Sequence, residues 1–382
     1  MKKAFLFLIL LALALLCACG APAQQTAGLE SPPSAAAPAR EPSPEPTPEP
    51  TPEPTPEPTE WTVTGESAEE ILALADISAL QRVDATASRE YDALLELYRL
   101  RPDCQVLWNY EFEGQVYPNT ATELKAQGLE GLEDAVRYLP ALTYIDVIDT
   151  PATVEDLDRL YDINPDAFYY WSFRHDGFLI RTDIRVYSSL RDGVNHRFTS
   201  EEMYPMLKYC KHMRALDLGH NNLTDLTWLG KLSELEVLIL ADNPDLVDAS
   251  PLANLTNLHY LEFFMNHKVE DYSFLNSLTK IQELNLCRTD HIGDMAFLAN
   301  MPDLKFLMVK YSDCNRETFQ YWKERFPEAN MVYYDGNIES CDSGWRDTMK
   351  NYQIRYAFSH WRYVTDYQHW DQFTVDTSRY NY

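Results

Sequence analysis

Positive charge is what this sequence has least of. Only 32 Lys and Arg stand against 59 Asp and Glu, a formal net charge of -27 over 382 residues. Phosphate backbones are held by clustered Lys and Arg, so this balance disfavours nucleic acid as a partner. It equally disfavours charge-driven attachment to an anionic membrane. Catalytic signatures are missing too. The nine His form no H-E-x-x-H metal motif, and there is no G-x-S-x-G elbow, phosphate loop or alternating-Asp calcium loop. Asp366, His369 and Asp371 lie near one another but read as solvated surface. Acidic pairs are too common here to nominate a glycosidase dyad. No cofactor and no metal site is expected, nor an enzyme. Seven Cys are present; after Cys17 and Cys19 five remain, an odd number that excludes a complete disulfide framework. Cys104 reads as a small core residue, and a Cys314–Cys341 bond is conceivable.

What is present begins with an address. Lys2 and Lys3 precede an apolar run, Ala4 to Leu16, too short for a comfortable membrane span. The run ends in Leu16-Cys17-Ala18-Cys19-Gly20, which resembles the bacterial lipobox. The resemblance puts cleavage after residue 18 and the lipid on Cys19, with Cys17 a mild departure where Ala or Ser is usual. Losing Lys2 and Lys3 would take the charge to -27 - 2 = -29. Residues 19–60 then form the anchor and a stalk ending in EPSPEPTPEPTPEPTPEPTE. Alternating Pro excludes helix and sheet, and repelling Glu extends the chain. At ~3.1 Å per residue the last 20 residues of the stalk span roughly 60 Å. Such stalks look like those of lipoproteins from single-membrane bacteria. The localisation expected is therefore the outer face of a bacterial membrane, lipid-anchored.

Internal repeats carry the fold. Segments starting at Leu216, Leu238, Leu261, Leu284 and Leu307 follow one another at spacings of 22, 23, 23 and 23. The first two read Leu216-Asp217-Leu218-Gly219-His220-Asn221 and Leu238-Ile239-Leu240-Ala241-Asp242-Asn243. Each is followed by a polar turn and then spaced apolar residues, as in Leu226, Leu229, Leu232 and Leu235. The pattern resembles the leucine-rich repeat, with a short period like that of internalins. Thr289 and Ser312 at the Asn position, and Phe263 and Val309 at Leu positions, are departures toward the C-terminal end. A longer repeat lies upstream. Leu80-Gln81-Arg82-Val83-Asp84-Ala85 matches Leu142-Thr143-Tyr144-Ile145-Asp146-Val147, and both lead to an X-Pro-Asp segment ending in Trp108 or Trp171. Gly114 and Gly177 mark matching hairpin turns, and a partial third copy runs from Leu304 to Tyr333. The array is expected to start near Ser67, where Ser67-Ala68-Glu69-Glu70 reads as a capping box.

The fold expected is an α/β solenoid, a leucine-rich-repeat-like right-handed array with short parallel strands on a concave face. Its parts are a signal peptide at 1–18, the anchor and stalk at 19–60, irregular long repeats at 61–212, leucine-rich repeats at 213–336 and an aromatic C-terminal cap at 337–382. Alternation sends the Leu residues inward and the residues between them to the concave face. Tyr260, Phe264, Met265, Arg288, Phe306, Met308 and Tyr311 would then form a patch for a protein ligand, unless the aromatic C-terminal segment folds over them. In that segment Trp345, Met349, Tyr352 and Tyr356 share one face of a helix, read as a cap on the last repeat. Two functions remain: surface protein binding or adhesion through the concave face, and glycan binding through tail aromatics such as Trp361 and Trp370.

Overall fold

A computed structural model describes residues 57–175, 178–189, 201–333 and 344–360. The anchor cysteine, the stalk up to residue 56, Gly177, Trp361, Trp370 and the Asp366–His369–Asp371 group lie outside the described residues.

Short parallel strands form three separate sheets. The first joins β1 (Glu60–Thr62), β2 (Arg82–Asp84) and β3 (Gln105–Leu107). A hairpin follows, β4 (Asn109–Phe112) with β5 (Gln115–Pro118), turning at Glu113-Gly114 with φ of 51° and 75°. Two consecutive positive φ values give the twist that a tight hairpin needs. The second sheet joins β6 (Glu123–Lys125), β7 (Tyr144–Asp146) and β8 (Phe168–Tyr170), and a second hairpin pairs β9 (Ser172–His175) with β10 (Phe178–Arg181).

The third sheet holds seven strands in sequence order. They are β11 (Val186–Ser188), β12 (Ala215–Asp217), β13 (Val237–Ile239), β14 (Tyr260–Glu262), β15 (Glu283–Asn285), β16 (Phe306–Met308) and β17 (Asn330–Val332). Their register aligns Leu216, Leu238, Leu261, Leu284, Leu307 and Met331 in one column. All six are buried in the main core.

The returns differ between the parts. In the long repeats they are α-helices: α1 (Ala68–Ala73), α2 (Tyr91–Leu100), α3 (Leu132–Tyr138) and α4 (Val154–Ile163). The short repeats return by 3-10 turns, such as Ser250–Asn254 and Ser273–Ser277, until α5 (Arg316–Arg325) closes the series before β17. The capping box at Ser67 and Glu70 is present. The array nevertheless starts before it, because β1 pairs with β2 and Glu57 accepts hydrogen bonds from Ser78 Oγ and Ala79 N at 3.2 Å.

Two devices hold the repeats in register. In the short repeats it is an asparagine ladder. Asn243 Nδ2 donates to Leu218 O and Leu240 O at 3.1 and 3.0 Å, so it ties its own strand to the preceding one. Asn266 repeats this on Leu240 O and Phe263 O, and its Oδ1 accepts from Asn243 N at 2.9 Å. The residue before each rung is left-handed: His220, Asp242, Met265, Arg288 and Tyr311 have φ between 51° and 62°. At Thr289 the single hydroxyl donates to Leu286 O, within its own repeat.

In the long repeats the pin is a buried pair. Asn119 Nδ2 donates to Val106 O and its Oδ1 accepts from Trp108 N; Thr182 Oγ1 makes the same two links to Tyr169 O and Trp171 N. Each pin anchors the far end of a hairpin to the strand before it, so the two long repeats are built alike.

Candidate functional site: the concave face and its covering helix

The face of β11–β17 turned away from the leucine core is the expected concave face, and it is not open. Helix α6 (Met349–His360) and the preceding residues lie on it. Trp345 is fully buried, with ring centroids 5.2 Å from Tyr260 and 4.8 Å from Phe306. Ile354 and Phe358 are buried in the same cluster as Val186, Val237, Phe264, Cys287 and Met308, and Ala357 is buried as well.

This corrects the exposed patch expected from the sequence. Tyr260, Phe264, Phe306 and Met308 are buried beneath this covering. Of the seven candidates, Arg288 is exposed and Met265 and Tyr311 are half-buried. These three sit in the left-handed column, and the Arg288 guanidinium lies 5.3 Å from the Tyr311 ring centre. The residues before the rungs thus form a ridge along one rim, accessible where the strand faces are not.

The helix is also rotated from its expected phase. Asn351, Ile354 and Phe358 face the sheet, while Met349 is 44% exposed and Tyr352 and Tyr356 are half-buried. Trp345 precedes the helix and does not set its phase. The segment expected to cap the last repeat covers the strand faces instead, reaching as far as β11.

The covered face carries three acids and one buried base, Lys310. Asp217 and Glu262 are buried on it, and Glu283 is half-buried beside them in the strand pattern. Asp217 accepts from Gly219 N and Ser188 Oγ, each at 3.0 Å. Burial pushes its carboxyl up to about 6, with Glu262 adding to the rise. Tyr260 donates its hydroxyl to Glu262 and accepts from Asn351 Nδ2 at 2.8 Å. Burial first, and then the Glu262 charge, hold the Tyr260 phenol well above its ordinary value. The covering segment brings Arg346, Lys350 and Arg355 against one acid, Asp347.

The fit has faults. Trp345 Nε1, Asn351 Oδ1 and Asn285 Nδ2 are buried with no hydrogen-bond partner among the described residues. Burying Trp345, Ile354 and Phe358 stabilises by about 1.5–3 kcal/mol each. Each orphaned polar atom costs about 1–3 kcal/mol, which takes back part of that gain. Cys287, on the same face, is disulfide-bonded, whereas Cys104, Cys210 and Cys314 are free and buried, so the Cys314–Cys341 bond weighed from the sequence does not form.

The second sheet carries a different surface. Tyr144, Phe168 and Tyr170 lie side by side, with Tyr144 centred 5.8 Å from Phe168 and 6.3 Å from Tyr170. The His212 ring meets Phe168 at 4.8 Å, and its Nδ1 is 3.0 Å from Glu234. A cleft of about 700 Å³ opens here, lined also by Tyr161, Asp166, Lys211 and Lys231. Lys211 donates to Ala167 O at 2.9 Å and to Pro165 O, and burial holds its ammonium below the ordinary value. The cleft was missed in the sequence because its walls come from two different kinds of repeat. Among the described residues no group of three or more His, Cys, Asp or Glu is placed to hold a metal ion. No helix there is long and apolar enough to cross a membrane.

No protein-family model matches the chain, and no curated protein does. Among solved structures it is similar to an internalin, InlF, of Listeria monocytogenes, at 15% identity and a TM-score of 0.32 over 70% of this chain. That match takes in 64% of the internalin, less than two thirds of its length. Internalin C2 of the same organism is 25% identical over 55% of this chain and 76% of its own, with a TM-score of 0.30. A leucine-rich-repeat protein of Leptospira interrogans is 11% identical over 68% and 74%, with a TM-score of 0.27. The chain's own strand register and asparagine ladder make it a leucine-rich-repeat-like solenoid.

Proposed function

We propose that this is a binding protein displayed on a bacterial surface through a lipid on Cys19, with a protein as its ligand. One observation carries the reading: the seven-strand face already seats a helix, by aromatic contacts from Trp345 and a polar contact from Asn351. A face that packs Tyr260 and Phe306 against an aromatic anchor has the chemistry of a protein-binding surface. The long acidic stalk would hold it away from the membrane. The ridge of Met265, Arg288 and Tyr311 borders the face and would meet a partner first.

The test is photo-crosslinking on living cells. A crosslinking amino acid at Arg288 should capture a discrete protein partner, whereas one at Tyr321, 50% exposed on α5, should not. Equal capture at both positions, or none at Arg288, would contradict the reading. A Cys19→Ala chain released into the medium would support the anchor, and an unchanged membrane fraction would refute it.

A further inference from the structure

The covering helix is a poor match to the face it occupies, in a direction that says what would fit better. We propose that α6 is an exchangeable occupant, and that the face of β11–β17 accepts in its place a helical segment of a partner protein bearing an aromatic anchor beside basic residues. The inference rests on the protein-binding reading above and specifies the partner.

Three observations point the same way. The first is charge: in a chain of net -27, residues 344–360 carry Arg346, Lys350 and Arg355 against Asp347, and they lie on a face bearing Asp217, Glu262 and Glu283. With Lys310 the face still carries more acid than base, so it complements a basic helix, and complementarity of this kind selects partners. The second is the set of orphans. Trp345 Nε1 and Asn351 Oδ1 on the covering segment, and Asn285 Nδ2 on the sheet, are all buried without a hydrogen bond among the described residues. A ligand with groups for Asn285 would bind with fewer unmet donors. The third is the division of the core. The leucine side of the sheet forms one cluster, while α6 belongs to a second cluster made of the opposite face. The helix can therefore leave without opening the leucine core.

A tethered occupant lowers the apparent affinity of a competitor by the fraction of time the face is open. If closed outnumbers open by about 100 to 1, affinity is reduced about 100-fold, and weakening α6 recovers part of it.

The test uses the soluble chain of residues 21–382 and a fluorescent peptide with the sequence of residues 344–360. Asn351→Asp places another carboxylate beside Glu262 and Tyr260 and should loosen α6 without touching the leucine core. Ile354→Ser is the second loosening variant. Each should bind the peptide about tenfold or more tighter than the parent chain. A peptide with Arg346, Lys350 and Arg355 changed to Glu should not bind. Hydrogen exchange at Leu261 and Leu284 should stay slow in both variants. Because Cys287 is disulfide-bonded, each titration is run with and without a dithiol reductant, and tighter binding in either condition supports the proposal.

Failure of both variants to bind the peptide while Leu261 and Leu284 stay protected would overturn it, since α6 would then be a fixed part of the fold. So would loss of that protection in both variants. Capture of a partner at Arg288 with no peptide binding would leave the binding function standing and this inference refuted. Peptide binding without capture would leave the displacement of α6 standing and contradict the partner protein.

Discussion

Replacing Asp217 by Asn should stabilise the protein at neutral pH, and the gain should vanish in acid. The carboxyl is buried on β12, and burial raises it from 3.8 to about 6. Gly219 N and Ser188 Oγ oppose the rise, as does nearby His220, and Glu262 reinforces it. The folded state therefore holds this proton more tightly than the unfolded chain. Its stabilising contribution is complete below about pH 4, declines as pH climbs through about 6, and is gone above that. A difference of about two units at 1.36 kcal/mol each sets a ceiling near 3 kcal/mol. Asn keeps an oxygen for Gly219 N and offers an amide to Ser188 Oγ, so little is lost locally. Urea unfolding should give Asp217→Asn a gain of about 1–3 kcal/mol at pH 7.5 and less than about 1 kcal/mol at pH 4. A variant less stable at pH 7.5 would refute the reasoning, because the carboxylate would then be a favourable partner and not a buried liability.

Other outcomes follow from the register devices. Asn266→Ala removes two donated bonds and one accepted bond from buried backbone, and should cost about 2–4 kcal/mol in urea unfolding. Thr289→Ala removes one bond within its own repeat and should cost about 1 kcal/mol. Asn119→Ala should cost about 2 kcal/mol and alter the near-ultraviolet signal of Trp108, whose backbone it holds. Cys104, Cys210 and Cys314 should resist alkylation at pH 8 until the chain is unfolded, because burial raises all three thiols, Cys314 to about 11.

The leucine columns, the two hairpins and the capping box at Ser67 were legible because each is a local pattern. Period, alternation and turn chemistry all lie within a few residues of one another. The separate sheets of the long repeats follow from the same segments, but the hairpins that divide them say nothing about which strands stop pairing. The concave face was legible as a set of residues and not as a surface. Tyr260, Phe264, Phe306 and Met308 were placed on the correct side of their strands. Their burial depends on a helix about 90 residues downstream of Tyr260, joined by contacts such as Asn351 to Tyr260 that leave no trace in spacing. The phase of that helix was misjudged for a related reason. Its apolar signal is weak and the sheet-facing stripe includes a polar residue, Asn351, so the aromatic residues drew attention to the wrong side. The left-handed column is legible as the residue before each Asn, and its Met265 and Tyr311 border the second core while Arg288 is exposed.

The central claim is that α6 sits on β14 and closes the strand face. The most direct measurement is a double-mutant cycle between Asn351→Ala and Tyr260→Phe in the soluble chain, read by urea unfolding. The buried bond between Asn351 Nδ2 and the Tyr260 hydroxyl predicts a coupling of about 1 kcal/mol or more. Additive effects, with a coupling indistinguishable from zero, would mean that the two residues do not meet and that the face is open.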